Sequence, residues 1–560
     1  EKPKTPSSDG GDNKTNPGGD SSNNNPNNGG SVTDGNSNDS SSSNTDMSTS
    51  GSESMSQVSE VRNQLKVLLD KKDNELAKYS LYLDIKAKLS QAFESADAAE
   101  KNKQATLEQL QKQKADLEKA ISDAITSKTS FDSANAMLIN SFNELKTFVE
   151  TTKASEINEI NEKPEYAFVK ELMSPIIMEV NSIISKGYQE NGLTSQSISD
   201  KKTQLENKLN DFNESYRANI AEFSSGLSLP INDTNIMSEK NNNNNESMNQ
   251  TNNIYSANVN LDWKYGQRRF KKDSAWSNIE NSKWIYKLEG NSAKYEFKFN
   301  NYVSKNLKLI FPYKIMRNDE KPQTELKVEF NDSVIESSLI YHDVNRIDLA
   351  VLDLKNAIFG ENKLTFSVPD NKKNPLIGNM YIISDASKMK DAIYKLNGQT
   401  DEDDGIIKID LSKAVGGSTS YLTRFESINY SNKDYILLKN TGKFGVNFAQ
   451  YTFGVYVSEA GEYNVGLTYN SDTWTELYLS ILNDENNGNL TTASGFIKIK
   501  NEGSFNNLYT TDGVKIKRID PSQSEINTLK VNLKQGWNNL VIGKAGKISP
   551  SIESILLKKV

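Results

Sequence analysis

Residues 293–313, AKYEFKFNNYVSKNLKLIFPY, recur as residues 449–469, AQYTFGVYVSEAGEYNVGLTY, with no gap and a separation of 156. No other feature limits the possible folds of this chain so strongly. In the later copy Tyr451, Phe453, Val455 and Val457 alternate with Gln450, Thr452, Gly454 and Tyr456, the period of two of a strand with one buried face. Ser-Glu-Ala-Gly breaks the run, then Tyr463, Val465, Leu467 and Tyr469 resume it, so the segment reads as an antiparallel hairpin. Tyr295 falls on Tyr451, Phe297 on Phe453, Phe299 on Val455, Leu309 on Val465 and Tyr313 on Tyr469. Further on, Gly360, Asn362, Leu364 and Phe366 match Gly536, Asn538, Leu540 and Ile542, and the hexapeptide from Pro375 matches the one from Pro550. Four strand signals in the same order predict two tandem copies of one β-domain. Chance similarity among strand-rich segments is the competing account.

Charge and composition exclude several functions. A net charge of −8 and a pI near 5.3 argue against a nucleic-acid partner, which requires a basic face. The run Arg268, Arg269, Lys271, Lys272 is the local exception and reads as a solvated edge. Cysteine is absent, which removes disulfides, thiolate nucleophiles and cysteine zinc sites. The single histidine, His342, reads as a surface residue, because no serine elbow or second histidine accompanies it. No run of about 18 apolar residues is long enough to span a bilayer. The chain starts at Glu1 without methionine, a basic n-region or an apolar core, so an export signal is expected to have been removed.

Residues 1–56 are Ser, Asn, Gly, Asp, Thr and Pro with scarcely an apolar side chain, too little burial to offset ordering entropy. They are expected to form a disordered tether, a leader without function being the alternative. From 57 to 225 the period becomes 3.6 and six helices can be drawn. Tyr79, Ile85, Leu89 and Phe93 recur as Tyr166, Leu172, Ile176 and Val180 at a spacing of 87, and Leu117 and Ile121 recur as Leu205 and Leu209 at 88. Two three-helix units follow, 57–130 and 131–225, with short connections and antiparallel neighbours. Pro164 suits a first turn, whereas Pro175 is expected to kink its helix. The array reads as a stalk, with a coiled-coil partner site as the other reading. Residues 226–253 form an Asn-rich linker by composition. Antiparallel sandwiches are expected at 254–385 and 386–560, with one short helix, MKDAIYKL, at 389–396.

With its peptides VYVSEAGEYNVGLTY, LKQGWNNLVIG and PSIESILLKK, the second β-domain resembles the galactose-binding-like jelly rolls of carbohydrate-binding modules. The helical array resembles the repeat modules of Gram-positive and mycoplasma surface proteins. SKTSFDS (127–133), AKYEFKFNNY (293–302), IFPYKI (310–315), FGENKLTFSVP (359–369) and IGNMYI (377–382), with the domain order, resemble the variable lipoprotein haemagglutinins of mycoplasmas. The fold class expected is therefore α then β: a tether, two three-helix bundles and two tandem jelly-roll sandwiches. The resemblance implies a lipid-anchored adhesin on the extracellular face of the cell membrane. It would bind sialylated host glycoproteins on erythrocytes and epithelium and vary by switching among gene copies. The lipid-bearing cysteine of that family is implied just before Glu1.

Holding a sugar in water takes an aromatic face for its C–H groups and planar polar side chains for its hydroxyls. Tyr469, Asn470, Asp472 and Trp474 fall together at a strand end and the loop after it, where jelly-roll modules commonly hold ligand. The alternative is that Tyr469 is core and Trp474 a rim residue. A sialic acid carboxylate favours an arginine fork. Arg424, beside Tyr421 and near Tyr430, is one candidate, and Arg268 and Arg269, near Trp263, Tyr265 and Trp276, are the other. Trp284 and Trp537 are assigned to packing. No cofactor is called for: Asp401 to Asp404 could hold calcium but lack the spacing of a known loop, and read as a solvated acidic turn. A coat protein that binds a host protein without glycan recognition is the second function class. Hydrolysis is the third, and nothing marks acids such as Asp472 and Glu476 for it.

Overall fold

The repeats foreseen from periodicity are the architecture. In the computed structural model of the protein the described residues are 49–189, 192–232, 236–237, 265–288, 293–336, 339–344, 346–413, 415–417, 424–439, 450–470, 475–482, 495–499, 509–510, 529–543 and 550–560. They divide into two compact units: the chain up to Glu75 with Leu89–Ser122, and Leu76–Lys88 with Asp123–Val560.

The helices of the N-terminal region are α1 (Thr49–Leu69), α2 (Lys72–Ala77), α3 (Leu83–Lys101) and α4 (Leu107–Ala134). In the first unit Leu65, Leu89, Phe93, Ala96, Leu110 and Leu117 are buried along the expected stripes. Thr106 and Gln109 cap α4 reciprocally: the Gln109 amide donates to Thr106 Oγ1 (3.2 Å) and the Thr106 amide to Gln109 Oε1 (2.9 Å). Arg62 donates to the carbonyls of Glu100 and Asn102, a cation at the C-terminal end of α3, where the helix dipole favours one.

The second helical repeat, from Ala136 to Phe223, is three rods. Its α5 (Ala136–Thr147) passes through a π-helical turn at Phe148–Thr152 into α6 (Ala154–Glu162). After α7 (Ala167–Lys186), α8 (Ser195–Asp211) passes through a second π turn at Phe212–Tyr216 into α9 (Arg217–Phe223). The 87-residue repeat survives in burial, since Tyr79 and Tyr166, Leu89 and Ile176, and Phe93 and Val180 are all buried. Pro164 begins a short 3-10 turn, and α7 continues through Pro175. Arg217 grips Glu159 with both guanidinium nitrogens at 3.0 and 2.9 Å, which, with Lys163, holds that carboxyl down at about 2.

The first β copy comprises β1 (Leu227–Leu229), β2 (Ile236–Met237), β3 (Tyr265–Lys272), β4 (Ala275–Ile285), β5 (Lys294–Asn301) and β6 (Asn306–Lys314). It continues with β7 (Lys327–Phe330), β8 (Ser333–Val334), β9 (Asp348–Lys355), β10 (Gly360–Ser367), β11 (Leu376–Ile377) and β12 (Met380–Ile383). Then come α10 (Met389–Asn397), β13 (Gln399–Glu402), β14 (Ile406–Asp410), β15 (Val415–Gly417), β16 (Arg424–Tyr430) and β17 (Lys433–Lys439). The last strands are β18 (Gln450–Val457), β19 (Gly461–Asn470), β20 (Thr475–Leu482), β21 (Gly495–Ile499), β22 (Tyr509–Thr510), β23 (Leu529–Leu533), β24 (Gly536–Gly543) and β25 (Ser551–Lys559).

Pairing proves the duplication. One five-stranded sheet runs β2-β5-β10-β7-β8 and the other β15-β18-β24-β20-β21, strand for strand equivalent. Phe366 faces Tyr295 and Leu364 faces Phe297; at the matching positions Ile542 faces Tyr451 and Leu540 faces Phe453. On the opposite sheets Ile382 faces Leu309 as Leu557 faces Val465, and Ile377 faces Tyr313 as Ile552 faces Tyr469. Each copy is thus an antiparallel, two-layered jelly-roll sandwich with its own core.

Two segments differ from the sequence reading. Residues 227–231, inside the span read as linker, belong to the first sandwich: β1 pairs with β12, and Leu229 and Ile231 are buried in its core. A short LSLPI segment is submerged by surrounding asparagine when composition is averaged. The basic run at Arg268 is not a solvated edge. Arg268 is fully buried, its guanidinium 5.1 Å from the Phe425 ring and 5.7 Å from the Tyr451 ring.

Candidate functional site

The two sandwiches meet where their sequences diverge. In the first copy Lys298 and Glu361 form an exposed ion pair of 2.8 Å on the outer sheet face. Their equivalents in the second copy are Gly454 and Trp537. The indole lies against Gly454 so closely that a Cβ there would sit 2.1 Å from the ring. Trp537 Nε1 donates to the Ile347 carbonyl at 2.9 Å, Asn539 Nδ2 donates to the same oxygen at 2.9 Å, and the Ile347 amide donates to Asn539 Oδ1 at 3.0 Å. An exposed charged face in one copy has become a docking face in the other. The amphipathic α10 fills the same junction, with Ala392, Ile393 and Leu396 packed beside Ile310, Ile383, Tyr456 and Trp537. Gln399 locks Tyr456 in place, accepting from its amide at 2.8 Å and donating to its carbonyl at 3.0 Å.

Two neighbouring clefts open at this junction, of about 1170 and 690 Å³, and both are bordered by His342, Asp348 and Trp537. His342 Nδ1 lies 2.7 Å from Asp348 Oδ1. Burial pushes the Asp348 carboxyl above its ordinary range, against the opposing pull of His342 and Arg346. Nearby, Tyr313 donates to the Ile340 carbonyl at 2.8 Å, and the Tyr341 hydroxyl accepts from the Leu326 amide at 3.1 Å, its pKa pushed up to about 12 chiefly by burial. Arg346, Lys530 and Lys534 border the smaller cleft. The lone histidine is therefore half-buried and paired rather than a plain surface residue.

Of the residues singled out from the sequence, the structure describes only some. Tyr469 is 7% exposed in the core of the second sandwich, as its alternative reading had it, and Asn470 is 3% exposed beside it. Asp472, Trp474 and Tyr421 lie outside the described residues, as does Trp263. Arg424 opens β16 and Tyr430 closes it, a backbone separation of about 20 Å at the rise of a strand. Tyr430 is half-buried, with its ring 6.4 Å from Tyr435 at the hairpin end. Arg269 lies 6.0 Å from the Trp276 ring. Trp284 and Trp537 pack, as expected, in one cluster with Tyr286 and Ile347. Asp401 accepts from Lys390 Nζ at 2.6 Å and from the Tyr394 hydroxyl at 3.0 Å, so its carboxylate serves α10. Among the described residues no group of three or more His, Asp or Glu is placed to hold a metal ion. His342, Arg346 and Asp348 carry no sequence signal of a site. Trp537 does, because the repeat puts Glu361 at its position.

Fold and junction define a class: a helical N-terminal region followed by two tandem antiparallel jelly-roll sandwiches. The sequence model of the family described as Mycoplasma haemagglutinin matches residues 228–342 and 336–449, the first sandwich and the opening strands of the second. No curated protein matches the chain. Among solved structures, a family 35 carbohydrate binding module from Clostridium thermocellum overlaps 28% of this chain and 98% of its own at 15% identity, with a TM-score of 0.19. An exo-beta-1,3-galactanase from Phanerochaete chrysosporium overlaps 27% of this chain and 28% of its own at 15% identity and 0.19. A CBM35 from Cellvibrio japonicus overlaps 27% and 92% at 14% identity and 0.16. The chain thus spans little more than a quarter of the galactanase.

Proposed function

We propose that this protein is a non-catalytic, carbohydrate-binding adhesin of the cell surface, and that its targets are sialylated glycoproteins on host erythrocytes and epithelium. The observation that carries this reading is the haemagglutinin family match over residues 228–449. Binding in this reading uses protein groups alone, with no cofactor. The finer parts of the proposal are a lipid anchor on the extracellular face of the membrane and antigenic variation in the service of virulence. The helical units then act as a spacer that carries the sandwiches outward.

The test is binding of the full chain to erythrocytes before and after sialidase treatment. Binding that is lost on desialylation supports the proposal. Binding that survives treatment sinks the sialic acid claim and favours a coat protein that engages a host protein, and no binding at all sinks the adhesin reading.

A further inference from the structure

We propose that the cleft between the two sandwiches is the glycan site, and that it takes a sugar bearing a carboxylate. This rests on the carbohydrate-binding reading above and adds to it the place in the fold and the residues that would meet the carboxylate. Recognition of a sugar requires a fixed aromatic surface and a few convergent planar polar groups in a concave site. Trp537 is the fixed surface: its N–H is tied to the Ile347 carbonyl, one part of its ring rests on Gly454, and it remains half-buried at the border of both clefts. His342 and Asp348, held together at 2.7 Å, supply preorganised hydrogen-bonding groups beside it.

The smaller cleft adds the charge. Arg346, Lys530 and Lys534 border it with Asp348 as the carboxylate of its lining, in a chain whose net charge is −8; Lys530 is ion-paired with Glu462 at 2.6 Å, and the cationic side of the cleft is Arg346 and Lys534. A concave surface whose sign opposes that of the whole protein attracts an anionic ligand, and an arginine fork matches a carboxylate in two parallel bonds. At 690 Å³, opening beside 1170 Å³, the space admits an acidic sugar with further rings of the same glycan. Neither copy encloses it alone, because Asp348 and Arg346 come from the first and Trp537 and Lys534 from the second. The duplication is what makes the site.

The test uses the full chain titrated calorimetrically with sialyllactose and with lactose, in the parent protein and in Arg346→Gln and Lys534→Gln. Lys534 is exposed, so its variant keeps the fold even where the arginine change perturbs it. Sialyllactose is expected to bind in preference to lactose. Each variant is expected to raise the Kd for sialyllactose about tenfold, with the thermal midpoint of Lys534→Gln unchanged. Unchanged affinity in Lys534→Gln and Arg346→Gln, with the parent still binding, overturns the cleft and leaves the adhesin reading standing. A parent protein that binds neither sugar overturns the site, and erythrocyte binding that also fails overturns the adhesin with it.

Discussion

Lys314, the last residue of β6, is 3% exposed, and burial lowers its pKa to about 8 against the weaker attraction of Asp343. Its charged form is therefore disfavoured in the folded chain relative to the unfolded one. The unfolded state binds the extra proton between about pH 8 and 10.5, so this group's contribution is fully present above 10.5 and is lost as pH falls through 8. Lys314→Met is expected to stabilise the protein by up to about 3 kcal/mol at pH 7, a gain that shrinks as the buffer is taken toward pH 10.5. Urea unfolding at pH 7 and pH 10 measures both; a gain independent of pH would remove the charge explanation. Lys314 reads from the sequence as one more polar residue at a strand end. Arg268 looked like part of a solvated patch and is buried on two rings, while Tyr469, readable as platform or as core, is core. At this scale sequence is weak, because burial of a long or amphipathic side chain is set by the neighbouring element and not by its own run.

Among the elements, β10 and β24 share the most instructive detail. Asn362 Nδ2 donates to the carbonyls of Ile358 (2.8 Å) and Gly360 (2.9 Å) while its Oδ1 accepts from the Ile358 amide at 2.9 Å. Asn538 makes the same three bonds with Lys534 and Gly536, at 2.8, 3.0 and 2.9 Å. Gly360 and Gly536 take φ of +98° and +93°, a conformation that suits glycine, and so turn the chain into the strand. Asn362→Ala and Asn538→Ala are each expected to cost about 2–3 kcal/mol, since each strands buried backbone groups. Equal losses of midpoint in chemical denaturation are the expected result; a silent variant at either position would break the equivalence of the two turns. This Gly-Xaa-Asn signal was legible beforehand, because both residue types are required by local geometry. The π turns in the helical rods were not legible: α5 continues through the first of them into α6.

On the scale of the molecule, the sandwiches are one body. The β3–β4 hairpin leaves the first copy and the β16–β17 hairpin leaves the second, and β3 and β16 pair in parallel at Phe270 with Phe425, giving a continuous fifteen-stranded sheet. On the other flank Tyr216, Phe168, Tyr302 and Phe359 cluster in edge-to-face and tilted contacts with centroids 4.3 to 5.2 Å apart, and Asn219 bonds to Asn300 and Tyr302, seating the second helical repeat on the first sandwich. Gly454→Ala places a methyl inside the indole and is expected to cost about 1–3 kcal/mol by overpacking. Because the strain falls on the junction, calorimetry should show the parent's sandwiches melting together and the variant's melting in two steps. A single unshifted transition in the variant would mean that Trp537 does not hold the copies together.

The sequence by itself determined the number and kind of the modules. Period, repeat spacing and turn residues are local properties, and they survive intact as the three-rod bundles and the two sandwiches of matching register. Only the tertiary structure decided where the modules touch, and with it the cleft. Contacts such as Trp537 on Gly454 and Ile347, or Arg268 on Phe425 and Tyr451, join residues far apart in the chain, and their energy depends on which faces two finished domains bring together. The replacement of Lys298 and Glu361 by Gly454 and Trp537 marked the docking face in the repeat itself; it needed the partner surface at Ile347 to become intelligible.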